Sequence, residues 1–485
     1  MGKQEHWVLS RTARISSTGL AAMMVAALAA CAPDLGPLPQ TQAAASYATA
    51  KSFAAPDAAW PSDDWWKAYG DPELDQLIDE ALAGSPDLKM AAARMRGAEA
   101  MADVSGANLW PTVVGEAALQ ETEETRNIGF PRPYTALLPR GWHHAAEIAG
   151  EFQYQLDFFG KNRAAFAAAT STAQAARAEE AEARLQISTA IAATYAVLVQ
   201  LTADQQTADD AVRIRQQSAA LVEQRLKNGL ENDGTLSQAR AQLEAAKAES
   251  VAIGRMAALV RNQLAALLGK GPDRGLAIVA AAGQKVRSVG LPATLSVDLI
   301  GRRPDIVAAR LNAQAAASQL DVANANFYPD VDLVGKFGLQ SLDMSTLVQS
   351  SSEMGQFGPA IHLPIFDYGR NTGIYRASRA QYDAAVALYD KTLTGALHDV
   401  ADAYVNQRAL ARQLVHAHAS LAESEKAYSV VRQRYDAGLS RYLDVLTAEN
   451  MLLMQRRAVA DLEAQAFAYD VALVRALGGG YVARN

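Results

Sequence analysis

The sequence predicts a mainly α-helical chain with a transmembrane β part, and the whole fold is laid down twice. Three observations predict it. All 17 prolines lie at or before Pro364, and none falls between Pro139 and Pro272. The two proline-free arms that result, 140–271 and 365–485, match each other at a constant spacing. Each copy, which reaches upstream of its arm, opens with two segments in which apolar and polar residues alternate.

Proline breaks a helix interior because it lacks a backbone N–H and its ring collides with the preceding turn. Long helices are therefore confined to the two arms. Gly160 matches Gly369, Tyr195 matches Tyr404, Gly229 matches Gly438, and Leu268-Gly269 matches Leu477-Gly478, every pair 209 residues apart. Upstream, Asn108-Leu109-Trp110-Pro111 matches Asn326-Phe327-Tyr328-Pro329 at a spacing of 218, so the first copy carries nine extra residues within Arg126 to His144.

From the N-terminus, Lys3, Arg11 and Arg14 precede an apolar run from Gly19 to Ala30, which reads as a signal peptide over 1–30. Leu28-Ala29-Ala30-Cys31 resembles a bacterial lipobox, in which the thiol carries a diacylglycerol and becomes the mature N-terminus. An unmodified cysteine after an ordinary signal peptide is the alternative. Ala32 follows, rather than an inner-membrane-retaining aspartate, which implies sorting to the outer membrane. Residues 31–60, rich in Pro, Ala and Gln, read as an extended tether carrying the lipid. The boundaries expected after it are 61–107 for a first helical stretch, 108–269 for repeat 1, 270–325 for a connecting segment with a further helix, 326–478 for repeat 2, and 479–485 for a tail.

Within repeat 1 the strand pair is expected over 112–158 and the helical hairpin over 161–268; within repeat 2, over 330–367 and 370–477. The clearest strand places Ile148, Gly150, Phe152, Tyr154, Leu156 and Phe158 on one face, and Glu147, Glu151, Gln153, Gln155 and Asp157 on the other. A soluble sheet with one face on a core produces the same pattern. The length suits a bilayer, and the leader directs the chain to where barrels occur. From Lys161 to Asn228 there is neither glycine nor proline. The second arm carries a heptad at Leu393, Val400, Gln407, Leu414, Leu421, Tyr428 and Tyr435, which predicts helices in close supercoiled contact. Asn228-Gly229-Leu230 and Ala437-Gly438-Leu439 then reverse the chain.

Four strands cannot sit in hydrocarbon as an open sheet, because their edge amides would be unpaired. Several chains must share one barrel whose polar interior holds water, with the helices extending its lumen as a duct. The net charge of −7 gives no footprint for nucleic acid. There is no G-x-S-x-G, P-loop or dinucleotide fingerprint, and His416 and His418 are too close on a helix to face one metal. No catalysis is expected, and no metal or cofactor beyond the lipid on Cys31.

The motifs Leu299-Ile300-Gly301-Arg302-Arg303-Pro304-Asp305-Ile306, Asp64-Trp65-Trp66, Asp71-Pro72-Glu73-Leu74, Leu156-Asp157-Phe158-Phe159-Gly160 and Leu363-Pro364-Ile365-Phe366-Asp367-Tyr368-Gly369 carry a resemblance over nearly all of the mature chain. The chain resembles the TolC-like outer membrane factors, in particular their lipoprotein (NodT-type) branch. The resemblance implies a homotrimeric duct in the outer membrane of a Gram-negative cell, in contact with its lipid, with a shared twelve-stranded barrel above a coiled α-helical barrel. It implies docking onto a periplasmic adaptor that serves an inner-membrane pump of resistance-nodulation-division or major-facilitator type, and export of drugs or other toxic small molecules. Gly229, Leu230, Gly438 and Leu439 lie where the family's Val-Gly-Leu-like turns meet the adaptor; both turns here lack the valine. Tyr435 matches a tyrosine that helps hold such pores closed, and Asp444 matches an aspartate ringing the narrowest point; Thr447 replaces a second aspartate. Thr235 stands where the tyrosine's carboxylate partner would be, and Arg441 and Asp436 are neighbouring gate candidates without a direct match. Leu226 and Thr235 replace Tyr435 and Asp444 in the first copy, so the gate is expected in the second hairpin. The rivals are a periplasmic adaptor lipoprotein, which would carry a single hairpin, and a general porin, which would lack heptads.

Overall fold

The computed structural model of the chain describes residues 33–55, 58–123, 125, 140–280, 291–292 and 295–483. The expected signal peptide, Cys31, and residues 126–139 of the first copy's extra stretch lie outside the described residues. The helices are α1 (Pro72–Gly84), α2 (Pro86–Ala107), α3 (Lys161–Lys227), α4 (Asp233–Leu267), α5 (Pro272–Leu276), α6 (Leu295–Arg302), α7 (Pro304–Ala325), α8 (Arg370–Asp436) and α9 (Tyr442–Ala476). The strands are β1 (Thr112–Thr122), β2 (His143–Gln155), β3 (Asp330–Ser341) and β4 (Glu353–His362).

One compact unit comprises residues 33–39 and the described parts of Ala98–Ala173 and Asn312–Ala385. Its sheet runs β1-β2-β3-β4, antiparallel throughout. The register aligns successive rows on opposite faces across all four strands: Glu151, Lys336 and Gln356 form a polar row that ends at Val114, and Val113, Phe152, Gly335 and Phe357 form an apolar row on the other face. The Phe152 and Phe357 rings approach to 6.4 Å across Gly335, whose missing side chain makes the room. Gly338 is fixed more tightly, since a β-carbon there would lie 2.1 Å from the Ile148 carbonyl oxygen. On the polar face Lys336 pairs with Glu147, with Glu151 at 3.0 Å and with Glu116 at 3.5 Å, tying β3 to both strands of the first pair.

β4 stops at His362, short of the expected Asp367. The ladder, which accommodates Pro359 within this edge strand, closes at the Asp330–His362 pair, two residues before Pro364. Asp367 caps α8 instead, accepting from the N–H of Asn371 at 2.8 Å. Asp157 does the same for α3, accepting from the N–H groups of Asn162 at 3.2 Å and Arg163 at 2.9 Å. The duplication extends to detail: the Asn162 amide donates to the Asn108 carbonyl, and the Asn371 amide to that of Asn326.

The second unit comprises Gln40–Gly97, Gln174–Leu311 and Val386–Asn485. One core gathers Leu74, Leu77 and Ile78 of α1 against Ile191, Tyr195 and Leu198 of α3. A second sets Leu299 and Ile306 against Leu393 and Val400 of α8 and Leu473 of α9. Asp71 starts α1 by accepting from the N–H of Glu73 at 2.9 Å, with Pro72 at the first helical position. Both α3 and α8 have 67 residues, about 100 Å of helix each. Along α8 the heptad residues Leu393 and Val400 are buried, and Leu414, Leu421 and Tyr428 continue as a half-buried seam between exposed neighbours.

The N-terminal segment is docked rather than free. In the first unit the Arg379 guanidinium donates to the Gly36 carbonyl at 3.1 Å and the Tyr382 hydroxyl to that of Pro39 at 3.0 Å. In the second, the Gln42 N–H donates to Asp390 at 2.8 Å and Ala44 is buried. Long polar side chains of α8 thus catch successive carbonyls of an extended, proline-rich stretch.

Candidate functional site

The two hairpin turns are built alike. After α3, the N–H of Gly229 donates to Leu226 O and that of Leu230 to Arg225 O, both at 2.9 Å. After α8, Gly438 donates to Tyr435 O at 2.9 Å and Leu439 to Arg434 O at 2.7 Å. Both are helix ends closed by a left-handed glycine, with φ of 73° at Gly229 and 75° at Gly438. Leu230 is 64 % exposed and Leu439 70 %, so each tip presents an uncovered leucine.

The return helices are capped differently. Asn232 starts α4, its side chain accepting from the Thr235 N–H at 3.0 Å. At α9 the Asp444 carboxylate reaches back to the Arg441 N–H at 3.0 Å, and its other oxygen lies 3.8 Å from the Arg441 guanidinium. Asp444 is thus occupied with the helix start, as a negative charge at a helix N-terminus favours. Asp436 pairs with Arg432 at 3.4 Å, one turn back on α8.

Tyr435 is the residue that joins the hairpins. It is 2 % exposed, and its hydroxyl donates to Glu231 at 3.3 Å, just beyond the first turn. The Arg225 guanidinium lies 4.7 Å above the tyrosine ring, donates to the Tyr435 carbonyl at 3.3 Å, and stands 3.7 Å from Glu231. Burial first and the Glu231 charge second push the phenol's pKa up to about 12, against the opposing pull of Arg225. The hydroxyl therefore remains a donor throughout the neutral range. Val222, Leu236, Tyr442, Val445 and Leu446 pack with Tyr435 between the hairpins.

Of the residues singled out in the sequence, the structure brings Tyr435 to the first hairpin, joins Arg441 to Asp444, and leaves Asp436 with Arg432. The partners of Tyr435, Arg225 and Glu231, were missed. Thr235, where the resemblance would place a carboxylate, is held in the Asn232 cap. The available signal was that Glu231 is the one charged residue in the Asn228–Asn232 turn.

The sequence model of the family described as outer membrane efflux protein matches residues 77–270 and 295–479. The chain is 31 % identical over 436 residues to the multidrug resistance outer membrane protein MdtP of Escherichia coli K12, covering 87 % of this chain and 88 % of that protein. It is 30 % identical over 426 residues to the probable outer membrane lipoprotein SilC of Salmonella typhimurium, covering 86 % and 88 %. The crystal structure of the outer membrane protein VceC of Vibrio cholerae superimposes with a TM-score of 0.81 at 41 % identity, covering 87 % of this chain and all of that one. The four-stranded sheet is accordingly one subunit's share of a β-barrel, the long helices its share of an α-helical barrel, and the protein an efflux channel of the outer membrane. Two matched stretches, one on each copy of an internally duplicated channel subunit, place this chain in the outer membrane efflux protein family.

Proposed function

We propose that the protein is the exit duct of a three-part efflux assembly, as a homotrimer with a twelve-stranded barrel. In this reading a periplasmic adaptor docks on the hairpin tips through Gly229, Leu230, Gly438 and Leu439. An inner-membrane pump of resistance-nodulation-division or major-facilitator type supplies the energy, and the duct conducts passively, without catalysis or a bound cofactor. The cargo is small toxic molecules, in line with the multidrug resistance in MdtP's name. Cys31 carries a lipid that anchors the chain in the outer membrane, in line with the lipoprotein in SilC's name.

The observation that carries the reading is the pairing of two like-built tips, each with an exposed leucine, with a buried tie at Tyr435 between them. An exposed leucine pair suits a partner's apolar helix ends, and a tie of long, partly wet bonds can be released by docking. The gate is therefore assigned to Tyr435, with Arg441 and Asp444 shaping the start of α9, and Asp436 shaping the end of α8.

Planar-bilayer recording of the purified, full-length protein tests the reading. A resting low-conductance channel that Tyr435→Phe converts to a larger one is expected. A protein that neither conducts nor fractionates with outer membranes would sink the proposal.

A further inference from the structure

A second tie joins the hairpins behind the tip, and it differs in kind from the first. Arg215 of α3 is 8 % exposed and Glu449 of α9 only 1 %. The Arg215 Nε donates to Glu449 Oε1 at 3.0 Å, Nη2 donates to Asn450 Oδ1 at 2.8 Å, and Nη1 donates to the Gln242 carbonyl of α4 at 3.2 Å. One guanidinium thus links both helices of the first hairpin to the returning helix of the second. Burial pushes the Glu449 carboxyl's pKa up while Arg215 draws it back. Separating this pair would strand two charges away from water, which is strongly unfavourable.

The polar contacts of the tip tie are longer and less enclosed. Its hydroxyl bond is 3.3 Å, its ion pair 3.7 Å, and the Arg225 and Glu231 side chains retain 20 % and 15 % of their exposure. Arg225 and Arg215 are ten residues apart on α3, about 15 Å along the helix. Between them lies the apolar packing around Tyr435 and Tyr442, whose rings are 6.1 Å apart.

We infer that Arg215 and Glu449 form the pivot of the gate, as positioning residues that set how much of the second hairpin moves. This rests on the gate assignment made above. When the Tyr435 tie is released, the end of α8, the turn and the start of α9 swing, and the motion dies out at Glu449. The aperture is then fixed by the length of chain between turn and pivot.

Two spin-label pairs test this in full-length protein in liposomes, on a Cys31→Ser background with labelled chains diluted by unlabelled ones. Leu230→Cys with Leu439→Cys reports the tip; Val251→Cys with Met454→Cys reports the body side of the pivot, and all four positions are at least half exposed. On adding Tyr435→Phe, the tip distance is expected to shift and the body distance to stay. Equal shifts in both pairs would overturn the pivot and leave the gate standing. No shift in either, with unchanged conductance, would overturn the gate and the pivot with it. Adding Arg215→Met to Tyr435→Phe should make the body pair shift as well, and further adding Glu449→Leu, which removes the stranded charge, should return it. A body pair indifferent to Arg215→Met would also refute the pivot. Should Arg215→Met prevent folding, the first comparison still decides, because it leaves the buried pair intact.

Discussion

The guanidinium of Arg225 sits 4.7 Å above the ring of Tyr435, a residue on the other hairpin of the same chain. The contact clamps the aromatic ring from above while Glu231 holds its hydroxyl. Removing either support acts on the same joint from a different side.

Tyr435→Phe keeps the ring and its arginine but deletes the donor to Glu231. A net loss of about 1 kcal/mol at the tip is expected. Cells carrying the variant should become permeable to large antibiotics normally excluded by the outer membrane. An unchanged susceptibility profile at equal expression would count against the gate.

The raised phenol pKa makes the same joint alkali-sensitive. The folded value, about 12, lies above the free value near 10, so the folded state holds the proton more tightly. The contribution is fully present below pH 10 and is lost as pH rises through about 12. Conductance of the wild-type channel should therefore rise in that window and not between pH 6 and 9, with Tyr435→Phe flat across both.

Asp204 on α3 offers a second pH dependence. Burial first and Asp461 second push its carboxyl up to about 6, against Arg457, and one of its oxygens is buried without a hydrogen-bond partner. The free value is about 3.9, so stability falls as pH rises from about 4 through 6. Asp204→Asn should raise the melting temperature at pH 7.5 and change it little near pH 4. The same increment at both pH values would rule out titration of Asp204 as the cause.

Leu230→Asp and Leu439→Asp place charges on exposed tips, so the fold should tolerate them. Capture of the cognate adaptor by the purified channel is expected to fall for each and vanish for the pair. Retained capture by the double variant would move the docking surface elsewhere. Gly438→Ala is a milder probe, costing about 1–2 kcal/mol because the left-handed backbone there disfavours a β-carbon.

Cys31→Ser should abolish incorporation of labelled palmitate while leaving the melting temperature unchanged. Continued labelling would show that the acyl chain is attached at another residue.

Much of this architecture could be read from residues alone. Proline placement bounded α3 and α8, and the constant spacing paired Gly229 with Gly438, which the structure builds as the same turn. Gln407, the polar member of an apolar heptad, donates to the buried Asp470 at 3.3 Å. The joint at Tyr435 was half legible: the tyrosine could be found, its partners could not. Glu231 is 204 residues away, and which faces of α3 and α8 meet depends on the roll of two long helices, which periodicity leaves open. Asp444 illustrates the reverse, since a short carboxylate three residues beyond a turn is drawn to the helix start.

The open edges of the sheet carry a last consequence. Among the described residues β1 pairs only with β2 and β4 only with β3, so each outer edge must find its complement on another copy before lipid closes around it. Membrane insertion is then inseparable from association, and its rate depends steeply on how many chains are present. A chain whose Gly338 is replaced by valine would deform the strand next to β4 and bring that fault into every barrel it joined. Co-expressed with intact chains, it would act as a dominant poison of export.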